Sequence, residues 1–297
     1  MDLTWFWLVF ASMALMAFAN VVDRAGLGTV FKNPFAFGVL ASFVNMLCSL
    51  VLLIVFPFQG TLADAALIFA ASLMLGVTSL FWWLALSQGE ATRLVPFHSI
   101  FPLFTTAFAI LLLGEKLSAL QAAGIVIAVT GAVIITLKDV RGLRFEKGVW
   151  AMLAASATWG LFEVLQKGVL AKGASVWNYW GIAGIAFFFV VSFTLLSKKV
   201  RSEVASALKT PRKAAVPALN ELVYFTALVL LGFALAQAPA SIVSGSETIK
   251  LALFFVFAAV ATRFFPKRFK EDLAPQTLAL KIGATALIAL GIYLAAA

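Results

Sequence analysis

The sequence predicts an all-α polytopic membrane protein, with ten transmembrane helices as two inverted five-helix repeats around a central cavity. Three observations predict it. First, 63% of the 297 residues are hydrophobic and 12% are charged, where a soluble domain carries about 25% charge, so the chain cannot cover itself with polar surface. Second, ten apolar runs follow one another, each close to the ~20 residues that cross a hydrocarbon core. Third, the two halves of the chain repeat one another.

The runs are 3–22, 34–56, 62–86, 94–113, 119–137, 148–170, 176–196, 214–236, 240–261 and 273–296. Clusters of Gly, Pro and charge separate them, among them Lys32-Asn33-Pro34, Pro57-Phe58-Gln59-Gly60 and Gly114-Glu115-Lys116. Lipid admits only helices and closed barrels, and runs this long and rich in Ala and Leu read as helices. The first run lacks a basic start, so it predicts a span rather than a cleaved leader. The stretch 198–213 is expected as a solvated loop, with a basic surface helix as the alternative. Trp5, Trp7, Trp150 and Trp177 read as interfacial anchors.

Charge sets an orientation. The net charge is +9, but the basic residues lie in short loops between apolar runs, which points to an anionic membrane face and not to nucleic acid. Loops 1–2, 3–4, 5–6, 7–8 and 9–10 hold seventeen Lys and Arg, against three on the other side. This bias predicts cytoplasmic basic loops and outward termini, in the inner membrane if the cell is a prokaryote. Cys48 is the single cysteine and His98 the single histidine, so neither a disulfide nor a metal site is expected, and no cofactor.

The repeat divides the chain into 1–140 and 141–297. Phe162–Leu170 lies over Ala19–Leu27 at an offset of 143, and Ala234–Ala240 over Ala85–Ala91 at an offset of 149. Five spans is an odd number, so the second half enters the membrane upside down, as in many secondary transporters. Gly124 and Gly131 on span 5, and Gly283 and Gly291 on span 10, read as close-packing surfaces, within one chain or in a homodimer.

The stretch Ala85-Leu86-Ser87-Gln88-Gly89-Glu90-Ala91, then Pro96, Pro102, Leu111-Leu112-Leu113-Gly114-Glu115-Lys116-Leu117-Ser118, Gln121–Gly124 and Gly131, resembles spans 3 to 5 of the drug/metabolite transporter superfamily, in its ten-helix EamA-type branch. Glu163–Gly173 also resembles the first helix of the small four-helix multidrug exporters. The second half matches more loosely, with Arg263-Phe264-Phe265-Pro266-Lys267 where Leu-Gly-Glu would stand. The resemblance implies a cavity lined by spans 1, 3, 4, 6, 8 and 9 and alternating-access transport of small organic metabolites. It also implies cytoplasmic termini, opposite to the charge count.

An ionisable group in hydrocarbon costs several kcal/mol, so each one needs a reason. The offsets pair Asn20 with Glu163 and His98 with Glu247. From a rise of ~1.5 Å per residue, Asn20 and His98 lie near the basic side and the two Glu near the other, giving two polar layers with substrate between them. Glu163, Glu247 and His98 are the proton-coupling candidates; each is otherwise a scaffold hydrogen-bonding group. Lys250, one turn after Glu247, reads as an ion-pair partner or a contact for a substrate carboxylate. Trp159, one turn before Glu163, and mid-span Trp82 suit a cationic or aromatic substrate. Asn220, Glu221 and Tyr224 at the start of span 8 line the cavity or sit at the interface. Asp23-Arg24, Gln166-Lys167 and Glu115-Lys116 read as helix ends.

The function expected is a secondary transporter for a small amino acid-like or cationic metabolite, working as an exporter, with a passive channel or facilitator as the alternative. No catalytic constellation points to an enzyme, and no phosphate-binding loop points to a pump.

Overall fold

The computed structural model describes residues 3–26, 31–88, 91–136, 147–264 and 274–297. The basic stretches around 138–146 and 265–273, and Gly89-Glu90 between spans 3 and 4, lie outside the described residues. The helices are α1 (Thr4–Gly26), α2 (Pro34–Val55), α3 (Leu62–Gln88), α4 (Ala91–His98), α5 (Phe101–Phe108), α6 (Ala119–Thr136), α7 (Lys147–Ala171), α8 (Val176–Ser192), α9 (Lys198–Leu208), α10 (Pro211–Gln237), α11 (Ala240–Ser246), α12 (Ile249–Phe264) and α13 (Pro275–Ala296). Among the described residues there is no strand, and ten spans are long and apolar enough to cross a membrane. Each lies within three residues of its expected run.

Local chemistry sets the ends. Pro34, Pro211 and Pro275 begin α2, α10 and α13, where a missing N–H costs nothing. Asn33 caps α2 by accepting from the Phe35 N–H at 3.0 Å, and Ser175 caps α8 by accepting from Asn178 N–H at 3.1 Å. Thr61 with Asp64, and Ser118 with Gln121, form reciprocal capping boxes. Gly114, at φ +67°, stops the fourth span.

Two spans are broken. The fourth passes from α4 to α5 after His98, because Pro102 has no N–H to give the His98 carbonyl. The ninth passes from α11 to α12 at Glu247-Thr248. There the Ser246 and Thr248 hydroxyls donate to the Ile242 and Gly245 carbonyls at 2.9 and 2.8 Å, in competition with the backbone ladder.

The main packing pairs are α6 with α13, α3 with α7, α2 with α8, α1 with α10, α3 with α8, α12 with α1, α5 with α7 and α10 with α2. Exchanging each span for the one five places away turns α3–α7 into α10–α1 and α5–α7 into α12–α1. It returns α2–α8 and α6–α13 to themselves.

Two expectations are corrected. Residues 198–208 are a helix and not a plain loop: Val200, Val204 and Ala207 fall on one face and are buried, which anchors α9 against α2 and α10. Trp5 is no interfacial anchor. It lies on the buried stripe of α1 with Val9, Met13 and Met16, whereas Trp7 and Trp150 are more than 60% exposed.

The glycines of α6 and α13 face one another. A Cβ on Gly124 would stand 2.6 Å from the Gly291 carbonyl oxygen, and one on Gly131 2.8 Å from that of Ala284. These glycines are thus used within the chain. Gly283 is the exception, with nothing within 4 Å of such a Cβ. Gly291→Ala is therefore expected to destabilise the protein by about 1–3 kcal/mol through overpacking, read as a lower melting temperature in detergent. Gly283→Ala leaves it unchanged, and equal effects at both positions would contradict the packing described.

Candidate functional site

The broken spans meet α7 around one carboxyl group. Gly160 on α7 has no side chain, and a Cβ there would lie 2.7 Å from the Thr105 nitrogen. That gap lets α5 close on α7, so Thr105 Oγ1 donates to Glu163 Oε2 at 2.8 Å. Ser244, on α11, donates to Thr105 Oγ1 at 3.0 Å. From the other side Trp159 Nε1–H, one helical turn before the acid, donates to Glu163 Oε1 at 2.7 Å. Glu163 is fully buried, yet both of its oxygens are served.

Glu247 stands at the break of the ninth span, also fully buried. Its carboxyl group lies within hydrogen-bonding reach of that of Glu163, yet no donor among the described residues serves either oxygen. Two carboxylates hold no hydrogen between them, so only a protonated member of the pair could donate to the other. Lys250 is the nearby positive charge acting on both acids. Its Nζ stands 5.9 Å from the centre of the Phe101 ring.

An aromatic row leads away from the acids. Trp82 meets His98 edge-on at 4.9 Å, His98 meets Phe101 at 5.3 Å, and Phe101 meets Trp159 at 6.3 Å. The structure therefore brings Trp82, His98, Trp159, Glu163, Glu247 and Lys250 to one place. In the conformer described, the two acids are closed off from solvent.

Other expected residues lie elsewhere. Asn20 is half-buried on α1, and among the described residues no hydrogen bond joins it to the acids. Tyr224 is half-buried on α10, one turn from Glu221. Glu221 and Asn220 are buried, and Asn45 Nδ2 donates to Glu221 Oε1 at 2.6 Å, so this start of span 8 is interior. The side chains of Asp23 and Arg24 lie outside the described residues.

Three expected helix ends are corrected. Gln166 is fully buried. Lys167 Nζ donates to the Leu235 carbonyl at 2.8 Å, near the end of α10. Glu115 accepts from the Ala240 N–H at 2.6 Å, the Ser241 N–H at 3.2 Å and the Ser241 hydroxyl at 2.5 Å. Residues of the first half and of α7 thus clamp both arms of the α10–α11 turn.

Sequence reasoning missed Phe101, Thr105 and Ser244. Hydroxyls and Phe are common in apolar helices, and no pattern marks these. The role of Glu115 did carry a signal: the Pro239-Ala240-Ser241 start of α11 exposes N–H groups and has no side-chain cap of its own. Among the described residues the Gln166 amide and Trp180 Nε1–H are also buried without a partner, both beside Gly232. Thr105→Val removes a hydroxyl that both accepts and donates, and is expected to cost about 1–3 kcal/mol in thermal unfolding. Thr105→Ser keeps that hydroxyl and stays near wild type; equal losses would place the effect in packing.

Comparison with known proteins agrees with this architecture. Residues 3–137 match the model of the EamA-like transporter family. An uncharacterised protein of Methanocaldococcus jannaschii is 30% identical over 124 residues, 38% of this chain and 89% of that protein. A Streptantibioticus cattleyicolor protein named "Probable terminal-alkyne amino-acid exporter" is 28% identical over 124 residues, 41% of this chain and 40% of that one. A solved crystal structure of a protein 14% identical superposes with a TM-score of 0.71, covering 98% of this chain and 96% of its own, which shows a shared fold. By its matched first half and its ten membrane spans, the chain belongs to the EamA-like transporter family, within the drug/metabolite transporter superfamily.

Proposed function

We propose that the protein is a proton-coupled secondary transporter that exports an amino acid-like metabolite by alternating access. The observation that carries the reading is the buried Glu163–Glu247 pair beside Lys250. A substrate amine and a proton compete for the same two carboxyl groups, and this exclusion couples their flows. Lys250 meets the substrate carboxylate. Trp82, His98, Phe101 and Trp159 receive its apolar part and its positive charge. The relative named "Probable terminal-alkyne amino-acid exporter" supports this substrate class.

The paired breaks in spans 4 and 9 support a transporter site, since discontinuous helices at corresponding places in two halves are where transporters hold substrate. The symmetric helix pairing supports two repeats, 1–140 and 141–297. The loop charge supports a cytoplasmic basic face in the cell membrane. In reconstituted liposomes with an imposed pH gradient, Glu163→Gln is expected to lower gradient-driven amino-acid accumulation at least about tenfold, the effect of 1.4 kcal/mol. Undiminished flux would instead identify a passive facilitator.

Alternating access requires the clamp on the α10–α11 turn to open. Glu115 holds the first N–H groups of α11, and the far end of α11 carries Glu247, so the turn and the acid move as one unit. Removing charge-assisted hydrogen bonds worth about 1.5–3 kcal/mol in Glu115→Ala raises the outward-open population about tenfold or more. In a Cys48→Ser background, a cysteine replacing Val243 then reacts correspondingly faster with an impermeant maleimide added outside intact cells. Reaction confined to inside-out vesicles would reverse the orientation, and an unchanged rate would remove Glu115 from the gate.

A further inference from the structure

On the opposite, basic face, away from the acids, a cavity of about 560 Å³ opens between α9 and the segment that enters α2. Lys32, Lys198, Lys199 and Lys213 line it with the hydroxyls of Ser202 and Ser206. Glu203 is the single acid in the wall among the described residues. Its carboxylate already accepts from the backbone N–H groups of Lys32 and Asn33, at 2.7 and 3.3 Å, which ties the start of α2 to α9. Among the described residues none of the four ammonium groups is in a salt bridge. Four positive charges against one negative leave a surplus of three in a groove with hydroxyl donors. That is the chemistry of a phosphate-binding site.

The surroundings identify the carrier of the phosphate. α9 follows directly on span 7, with Val200, Val204 and Ala207 turned inward. Phe193 and Leu196, just before it, are 56% and 78% exposed, and Leu208 at its end is 62% exposed. A charged groove on a helix that follows a span and has bare apolar side chains before it and at its end fits an amphiphile, with its headgroup among the lysines and its acyl chains against those side chains. A free phosphate uses the lysines and leaves the apolar side chains unused. We propose that this groove is a binding site for the headgroup of an anionic glycerophospholipid, fastening α9 and the α2 entry to one leaflet.

The test is the melting temperature of the purified full chain in neutral detergent, titrated with phosphatidylglycerol, phosphatidylcholine or inorganic phosphate. A ligand of the folded state raises the melting point by mass action. Phosphatidylglycerol is expected to raise it in a saturable way, while the other two do not. Each lysine near a membrane surface contributes about fivefold in affinity. Replacing all four with Gln should therefore weaken the response at least about tenfold, and replacing all four with Arg should keep it. The Arg variant, with Lys198→Gln/Lys199→Gln as a milder change, separates lost binding from a failure to fold. An equal response to phosphatidylcholine, an equal response to inorganic phosphate, or a full phosphatidylglycerol response in the Gln variants would each overturn the proposal.

Discussion

Two carboxyl groups side by side in a place that water does not reach constrain the rest of the molecule. Hydrocarbon offers a carboxylate nothing, so the protein has to supply every partner. Trp159 serves one oxygen of Glu163 and Thr105 the other, and Ser244 holds Thr105 in place. Each depends on a structural permission further out. Gly160 lets α5 approach α7, and the break after His98 turns α5 so that Thr105 faces the acid. Glu247 arrives because the ninth span is broken at that residue. What remains unserved in this shell, among the described residues, are the oxygens of Glu247.

The same break makes α11 a short rod with a carboxyl group at each end. It is seven residues long, roughly 10 Å at ~1.5 Å per residue. Glu115 grips one end, Glu247 sits at the other, and Ser244 touches the site from the middle. Lys167 holds the neighbouring end of α10. The clamped turn and the closed site are therefore one arrangement of hydrogen bonds. In the low dielectric of the span such bonds are costly to leave half-made, which favours two discrete states over a continuum.

Outside this centre the fold is a matter of close approach between apolar surfaces. Lipid provides no hydrophobic drive to pair helices, so contact relies on small residues. The seam of α6 and α13 shows this, with Gly124, Gly131 and Gly291 meeting opposing backbone. Greasy residues with no such role, such as Ile54 and Leu111, face outward at 79% and 77% exposure. The basic side is built differently, from an amphipathic helix whose apolar face is covered and whose lysines are not.

Composition and hydropathy alone determined the ten spans and their ends, because a bilayer tests only length and polarity and the runs meet both requirements. The cost of charge in lipid singled out Glu163, Glu247 and Lys250, and helical spacing put Trp159 with Glu163. Partners from distant parts of the chain were beyond this reasoning. Whether Glu115 is a solvated turn or the cap of a helix 125 residues away depends on how spans 5 and 9 pack, and no local pattern encodes that. The same holds for Thr105 and Ser244, ordinary hydroxyls until α5, α7 and α11 converge, and for Asn20, whose repeat position matched Glu163 while its surroundings did not. Residues 198–208 show the limit most plainly: their polar count read as a loop, and only the surface offered by α2 and α10 made a helix of the three apolar side chains among them. Local sequence carries the free energy of entering the membrane, residue by residue, whereas the chemistry of the site comes from contacts that exist only once the spans have packed.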